Sequence, residues 1–230
     1  MLALKQALSL VSLKPLSGWS PSNEGSLVAW YKYNSGISRG VGSVVNSWED
    51  SSSNSYDMEQ ATEENKPQLN ATYNTVDFVS EDVSFLQTSG QITLPGEFTI
   101  AFRITATAFN NTIIGDNTTS NEYIKLTSAT NIRLTIDGSS VNLDNSGGFG
   151  TNNVIITRNS SDDVKMYVDN VLTDTQNLSG TSDIDALGVR STNINSFDGS
   201  IFEVQIYNST SSALNTLMKM DYGRTPILIF

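Results

Sequence analysis

The sequence predicts an all-β protein, built as a sandwich of short antiparallel strands. Apolar and polar residues alternate in several segments, and this period of two places one face of a strand on a core. The longest alternating segment is 98–104, and a second is 202–206 near the C-terminus. Other strand patterns follow one another at intervals of about 8 to 12 residues, which is typical of sandwich folds. Turn signals such as Asp137-Gly138 separate them.

Residues 1–13 predict a short amphipathic helix, because their apolar side chains recur at helical spacing. These side chains are Leu4, Ala7, Leu8 and Val11. A signal peptide is the alternative, but Ser9 and Ser12 interrupt the apolar stretch and no small-x-small cleavage pattern follows. Residues 15–25 form a linker rich in Pro, Ser and Gly, and we expect Trp19 within it to anchor the N-terminal arm.

The strand patterns beyond the linker are short and numerous. They lie at 27–33, 44–48, 67–69, 75–78, 84–87, 98–104, 112–116, 123–126, 131–136, 154–158, 164–168, 187–190 and 202–206. The segment 49–55 is too polar to be anything but a loop. After the last strand, the hydroxyl groups of 209–212 can cap one short amphipathic helix. Its apolar residues are Leu214, Leu217, Met218 and Tyr222.

The chain ends in four consecutive apolar residues, 227–230. Such a segment promotes aggregation unless it is covered, so we expect it to pack on this chain or on a neighbour. The sequence is therefore divided into an N-terminal helical arm and linker (1–25), a β domain (26–223) and an apolar C-terminal tail (224–230).

Composition excludes several classes of function. The 230 residues include no cysteine and no histidine. A chain of this length buries roughly 70% of its unfolded surface, so its core needs no disulfide. The lack of histidine excludes Ser-His-Asp and Cys-His catalysis and imidazole metal ligands. Carboxylate chemistry alone is left for an enzyme.

The chain is acidic, with 13 basic and 24 acidic residues and a net charge of −11. Nucleic-acid backbones require clustered Lys and Arg, so this balance opposes a nucleic-acid partner. No apolar run approaches the roughly 20 residues of a membrane helix, so a membrane partner is not expected either.

Five segments together resemble the laminin-G-like, or concanavalin A-like, jelly-roll domains, and the resemblance covers about residues 27–222. They are 27–31, 48–52, 98–100, 164–169 and 197–208. The resemblance implies a two-sheet antiparallel jelly-roll sandwich, here with a short helix near each terminus. The sequence departs from the family at Asn170, where glycine is usual, and at Ser52-Ser53, where the first loop often has glycine. Asparagine also adopts positive φ, so neither departure opposes the fold.

Acidic residues do not form a recognisable catalytic or metal-binding motif. Glucan-hydrolysing relatives carry a Glu-x-Asp-x-x-Glu run, which is absent here, and we interpret Glu63-Glu64 and Glu81-Asp82 as solvated loop residues. We therefore predict that the protein is not an enzyme. The aspartates that suit a calcium site lack a diagnostic spacing and are interpreted first as turn formers. They are Asp50, Asp57, Asp116, Asp144 and Asp183. No cofactor is predicted, and calcium is left open.

Exposed aromatic side chains are the candidates for glycan binding, since sugars stack on them. We select Tyr56, Trp48 and Tyr73 as glycan-binding candidates. They support one of two functional hypotheses, a lectin-like adhesion module whose partner is a host surface glycan, with or without calcium.

The first-ranked hypothesis depends on the terminal segments. A helical arm and an apolar tail around a jelly roll resemble attachment arms of accessory proteins in tailed-phage virions. We predict a non-enzymatic structural protein located in the virion, as a capsid decoration, cement or fibre subunit. Its partners would be other virion structural proteins, with a homo-oligomer left open. The predicted partner-binding residues are Leu4, Leu8, Val11, Trp19, Ile227, Leu228 and Phe230.

Overall fold

The computed structural model describes residues 20–32, 34–191 and 193–211 of the chain. In these ranges the chain forms β-strands and two short 3-10 helices, Pro21–Asn23 and Glu63–Asn65. The predicted terminal helices and the apolar tail lie outside the described residues. Within those ranges, no helix is long and apolar enough to span a bilayer.

The strands cover most of the described chain. They are β1 (Leu27–Tyr31), β2 (Ile37–Arg39), β3 (Val45–Trp48), β4 (Met58–Glu59), β5 (Gln68–Asn70), β6 (Thr75–Phe78), β7 (Leu86–Leu94), β8 (Phe98–Ala106), β9 (Asn111–Gly115), β10 (Tyr123–Leu126), β11 (Asn131–Ile136), β12 (Ser139–Asp144), β13 (Thr151–Arg158), β14 (Asp163–Val168), β15 (Val171–Asn177), β16 (Ser182–Leu187) and β17 (Gly199–Tyr207).

Two antiparallel sheets form the sandwich. The eight-stranded sheet has the order β15-β14-β13-β8-β17-β6-β5, and β1 also pairs with β17. The nine-stranded sheet has the order β12-β11-β10-β9-β16-β7-β4-β3-β2. β8 pairs with β13 on one side and β17 on the other, so the longest alternating segment lies in the middle of its sheet. The predicted all-β sandwich is confirmed.

One large hydrophobic core fills the space between the sheets. In β8 the core side chains are Phe98, Ile100, Phe102 and Ile104. In β10, Ile124 and Leu126 point into the core. Because successive side chains point to opposite faces, Tyr123 and Lys125 point away from it. This alternation determines which residues the outer face of the nine-stranded sheet presents.

The turn after β14 contains Asn170, where the jelly-roll domains that the sequence resembles usually have glycine. Asp169 and Asn170 have φ angles of 48° and 71°, so both adopt the left-handed conformation that asparagine and aspartate tolerate. The Asp169 carboxylate also accepts hydrogen bonds from the backbone N–H of Asn153 at 3.0 Å and from Asn152 Nδ2 at 2.7 Å. The turn therefore closes without glycine and is fastened to the neighbouring strand.

Candidate functional site: a cationic patch on the nine-stranded sheet

The three predicted glycan-binding aromatics differ in exposure. Trp48 is fully buried, and its ring N–H donates to the backbone carbonyls of Ser35 at 3.1 Å and Lys32 at 3.3 Å. Its ring therefore has no face available to a sugar, which corrects its selection as a stacking residue. Trp48 is the last residue of β3, in the predicted strand 44–48, and its side chain points into the core.

Tyr56 and Tyr73 lie in separate loops. Tyr56 is half-buried against the core, and its backbone carbonyl accepts the Tyr31 hydroxyl at 2.7 Å. Tyr73 lies in the turn between β5 and β6 and is 63% exposed. Both remain candidates. All seven predicted partner-binding residues at the termini lie outside the described residues, so their role stays a prediction.

The aspartates considered for calcium hold loops and strands together through hydrogen bonds. Asp50 accepts from the backbone N–H groups of Trp30 at 2.8 Å, Ser52 at 2.8 Å and Tyr56 at 3.0 Å. Asp183 accepts the Thr93 hydroxyl at 2.5 Å. In the part of the chain that the structure describes, no group of three or more acidic side chains is arranged to hold a metal ion.

The strongest concentration of binding chemistry lies on the outer face of the nine-stranded sheet. Lys125 of β10 lies opposite Arg133 of β11 and opposite Thr112 of β9. Paired residues of adjacent strands point to the same side of a sheet, so all three side chains share the face away from the core. Tyr123 and Thr135 form the next pair on the same face.

A glycine brings a third cation to this face. Gly115 lies opposite Tyr123, and a Cβ atom added to it would meet the Val189 carbonyl oxygen at 2.7 Å and Arg190 Cβ at 2.9 Å. The missing side chain thus lets residues 188–190 cross β9 in close contact. From there the Arg190 guanidinium reaches 4.4 Å from the Tyr123 ring centroid, a cation–π distance.

We call Tyr123, Lys125, Arg133 and Arg190 the cationic patch. Lys125 is only 8% exposed, and burial followed by the charge of Arg190 lowers its pKa. Burial alone would raise the pKa of Tyr123, but hydrogen bonds with Thr135 and Arg133 and the charge of Arg190 outweigh it and lower the pKa. The three cations therefore act on one another and on the phenol.

The cations of the patch have no acidic partners within the described ranges. No carboxylate of these ranges lies at ion-pair distance from Lys125, Arg133 or Arg190. Arg133 Nε donates instead to Asn142 Oδ1 at 3.1 Å. Arg190 Nε and Thr112 Oγ1 are buried and have no hydrogen-bond partner in the described chain. The patch thus carries positive charge that no carboxylate of the described ranges compensates, and it lies over buried polar atoms that lack a partner there.

Two buried carboxylates near the patch, one on β16 and one in the loop before β10, already accept hydrogen bonds. Asp185 accepts the Asn117 N–H and Gln87 Nε2, both at 2.7 Å, and burial raises its pKa. Glu122 accepts the Thr119 hydroxyl at 3.0 Å and the Asp137 N–H at 3.1 Å, and burial raises its pKa as well. These carboxylates stabilise the loops beside the patch.

Sequence reasoning missed the cationic patch. A partial signal was present, because Lys125 and Arg133 each stand between apolar residues that point into the core. The pairing of β10 with β11 follows from their hairpin, but Arg190 is distant in sequence and reaches the patch only because Gly115 admits its segment.

Sequence comparison provides no family for this chain. No family model and no curated protein matches the sequence. Structural comparison finds similar folds at low identity.

Domain 4 of AbnA, an extracellular arabinanase from Geobacillus stearothermophilus solved in complex with arabinotriose, is 16% identical with a TM-score of 0.58. The match covers 84% of this chain and 98% of that one.

Two toxin binding domains are similarly related. The binding domain of Paraclostridial Mosquitocidal Protein 1 is 15% identical with a TM-score of 0.59, covering 88% of this chain and 53% of that one. The binding domain of botulinum neurotoxin DC in complex with SialylT is 18% identical with a TM-score of 0.55. The match covers 90% of this chain and 53% of that one. This chain spans about half the length of these toxin chains. At these identities the comparisons show a shared sandwich fold.

Proposed function

We propose that this protein is a non-catalytic carbohydrate-binding module. The observation that carries the proposal is the outer face of the nine-stranded sheet, where the partly exposed Arg133 and Arg190 have no carboxylate at ion-pair distance in the described ranges. The exposed polar side chains of Ser140 and Asn142 on β12 adjoin them. Sugars are recognised by such convergent polar groups. The same fold occurs in an arabinanase domain solved with arabinotriose and in a toxin binding domain solved with SialylT, which supports this choice over the alternatives.

The role as a virion structural protein, and location in a virion, stay predictions. They depend on the terminal arms, which lie outside the described residues. No feature of the described domain favours that role over glycan binding.

A glycan array probed with the purified chain, with calcium and with EDTA, tests the proposal. We expect binding to at least one glycan, and the two conditions separate calcium-dependent from calcium-independent recognition. Arg190→Ala should weaken binding because it removes the cation over Tyr123. Arg39→Ala, at an exposed position on β2, is the matched control and should bind as the wild type does. Silence of the wild-type chain on the array under both conditions would refute the proposal.

A further inference from the structure

We propose that the cationic patch binds an anionic substituent of a saccharide, either a carboxylate or a sulfate ester. This inference rests on the proposed glycan-binding function and adds the chemical class of the ligand. The chain has 13 basic residues among its 230, and three of them meet on this one face without a carboxylate at ion-pair distance in the described ranges. A bound anion would supply the missing opposite charge.

The arrangement of the strands makes the like charges costly without a ligand. Lys125 and Arg133 are directly opposite each other on β10 and β11, and like charges at such positions destabilise a sheet. Arg190 adds a third positive charge, and after burial, which is the larger cause, this charge also lowers the pKa of Lys125. An anion bound among the three cations would offset their mutual repulsion. The arrangement is therefore better explained by ligand binding than by a contribution to the stability of the fold.

The donors of the patch fit an oxyanion. Guanidinium groups bind carboxylates and sulfates through N–H groups in a fixed fork, whereas an ammonium group binds as a compact charge. Arg133 and Arg190 are partly exposed and form no ion pair in the described ranges, so their guanidinium groups are the donors that a ligand can reach. The Arg190 guanidinium covers the Tyr123 ring, which directs this site toward charge recognition and away from stacking of a sugar ring. The exposed side chains of Asn142 and Ser140 border the patch and can contact sugar hydroxyls.

The net charge of the whole protein makes the inference specific. At −11 the chain repels polyanions at long range. Adhesion of an acidic glycan therefore cannot come from general positive charge and must be assigned to a local group of cations. This distinguishes the patch from the broad basic surfaces that bind polyanions through counterion release.

An array of matched glycan pairs tests the inference. Each acidic glycan is printed beside its neutral counterpart: sialylated and desialylated, uronate and methyl ester, sulfated and desulfated. The wild-type chain should bind the acidic member of at least one pair about tenfold or more better than the neutral member, as expected for a charge-assisted contact. The pair types separate carboxylate from sulfate recognition.

Two variants tie the preference to the patch. Lys125→Met keeps the length and apolar stem of the side chain and should remove most of the preference. Lys165→Met removes the same charge from β14 of the other sheet and should leave the preference unchanged. Arg133→Gln is the second patch variant if Lys125→Met unfolds at a lower temperature than the wild type.

The outcomes separate the inference from the proposed function. Binding restricted to neutral glycans, or an acidic preference that survives in both folded patch variants, overturns the inference and leaves glycan binding standing. No binding to any glycan overturns the proposed function, and the inference with it.

Discussion

The backbone N–H of Trp30 donates a 2.8 Å hydrogen bond to the carboxylate of Asp50, twenty residues further along the chain. The same carboxylate accepts the N–H groups of Ser52 and Tyr56 and the hydroxyl of Ser52 at 2.6 Å. One acidic side chain thus joins β1 to the loop that follows β3. This structural role explains the aspartate of segment 48–52, one of the five segments that resemble the jelly-roll pattern.

We predict that Asp50→Ala destabilises the fold by roughly 1 to 3 kcal/mol, because it leaves partly buried N–H groups without an acceptor. Urea unfolding of the variant measures the free energy of unfolding. Glu81→Ala, which removes an exposed carboxylate, controls for the loss of one negative charge. Equal stability of the two variants would mean that Asp50 does not organise the loop.

The lack of a Cβ atom at Gly115 allows residues 188–190 to cross β9 in close contact. Gly115→Ala places a Cβ within 2.7 Å of the Val189 carbonyl oxygen, so the crossing segment must shift or the strand must distort. Overpacking of this kind costs about 1 to 3 kcal/mol. Because Arg190 moves with its segment, we also expect weaker glycan binding.

Gly90→Ala is the matched control for this prediction, since nothing lies within 4 Å of a Cβ at this strand position. It should unfold within about 0.5 kcal/mol of the wild type and bind glycans equally. If Gly115→Ala behaved like Gly90→Ala in both measurements, the close approach of Arg190 to the sheet would not matter for binding.

Much of the fold followed from local patterns. The alternation in 98–104 and 202–206 predicted β8 and β17, because half-buried strands of a sandwich repeat every second residue. The pattern failed where polar residues occupy strands. β15 was not predicted, since Val171–Asn177 is largely exposed and mostly polar. A strand was predicted at 187–190, whereas β16 is Ser182–Leu187. The prediction was wrong because Asp183 and Asp185 interrupt the apolar pattern of β16.

The candidate site combines residues that are distant in sequence, so most of it could not be predicted from the sequence. A sequence indicates that Lys125 and Arg133 interrupt apolar strands, but it does not indicate that Arg190 lies over Tyr123. Aromatic character alone also selected Trp48 as a glycan-binding candidate, whereas packing buries its ring completely. Local periodicity specifies which face of a strand is apolar, whereas a binding surface is assembled across strands and loops.

Burial of Asp185 leads to a prediction about pH. Its pKa is raised above the ordinary value of 3.8, first by burial and also by the charge of Asp116, although hydrogen bonds act in the opposite direction. A carboxyl group that binds its proton more tightly in the folded state stabilises the fold fully below its unfolded pKa. That contribution is lost as the pH rises through the raised folded pKa. Asp185 therefore lowers the free energy of unfolding between mildly acidic and neutral pH.

Asp185→Asn should remove this dependence. The variant loses one of the acceptors for Asn117 and Gln87, a deficit of about 1 to 2 kcal/mol at low pH. The deficit should shrink as the pH rises from 4 to about 7, because only the wild type then pays for a buried charge. Urea unfolding at several pH values measures it, and Asp183→Asn on the same strand controls for the loss of one negative charge. A deficit that stayed constant or grew with pH would contradict the assignment, since the folded protein would then hold Asp185 ionised without a burial penalty.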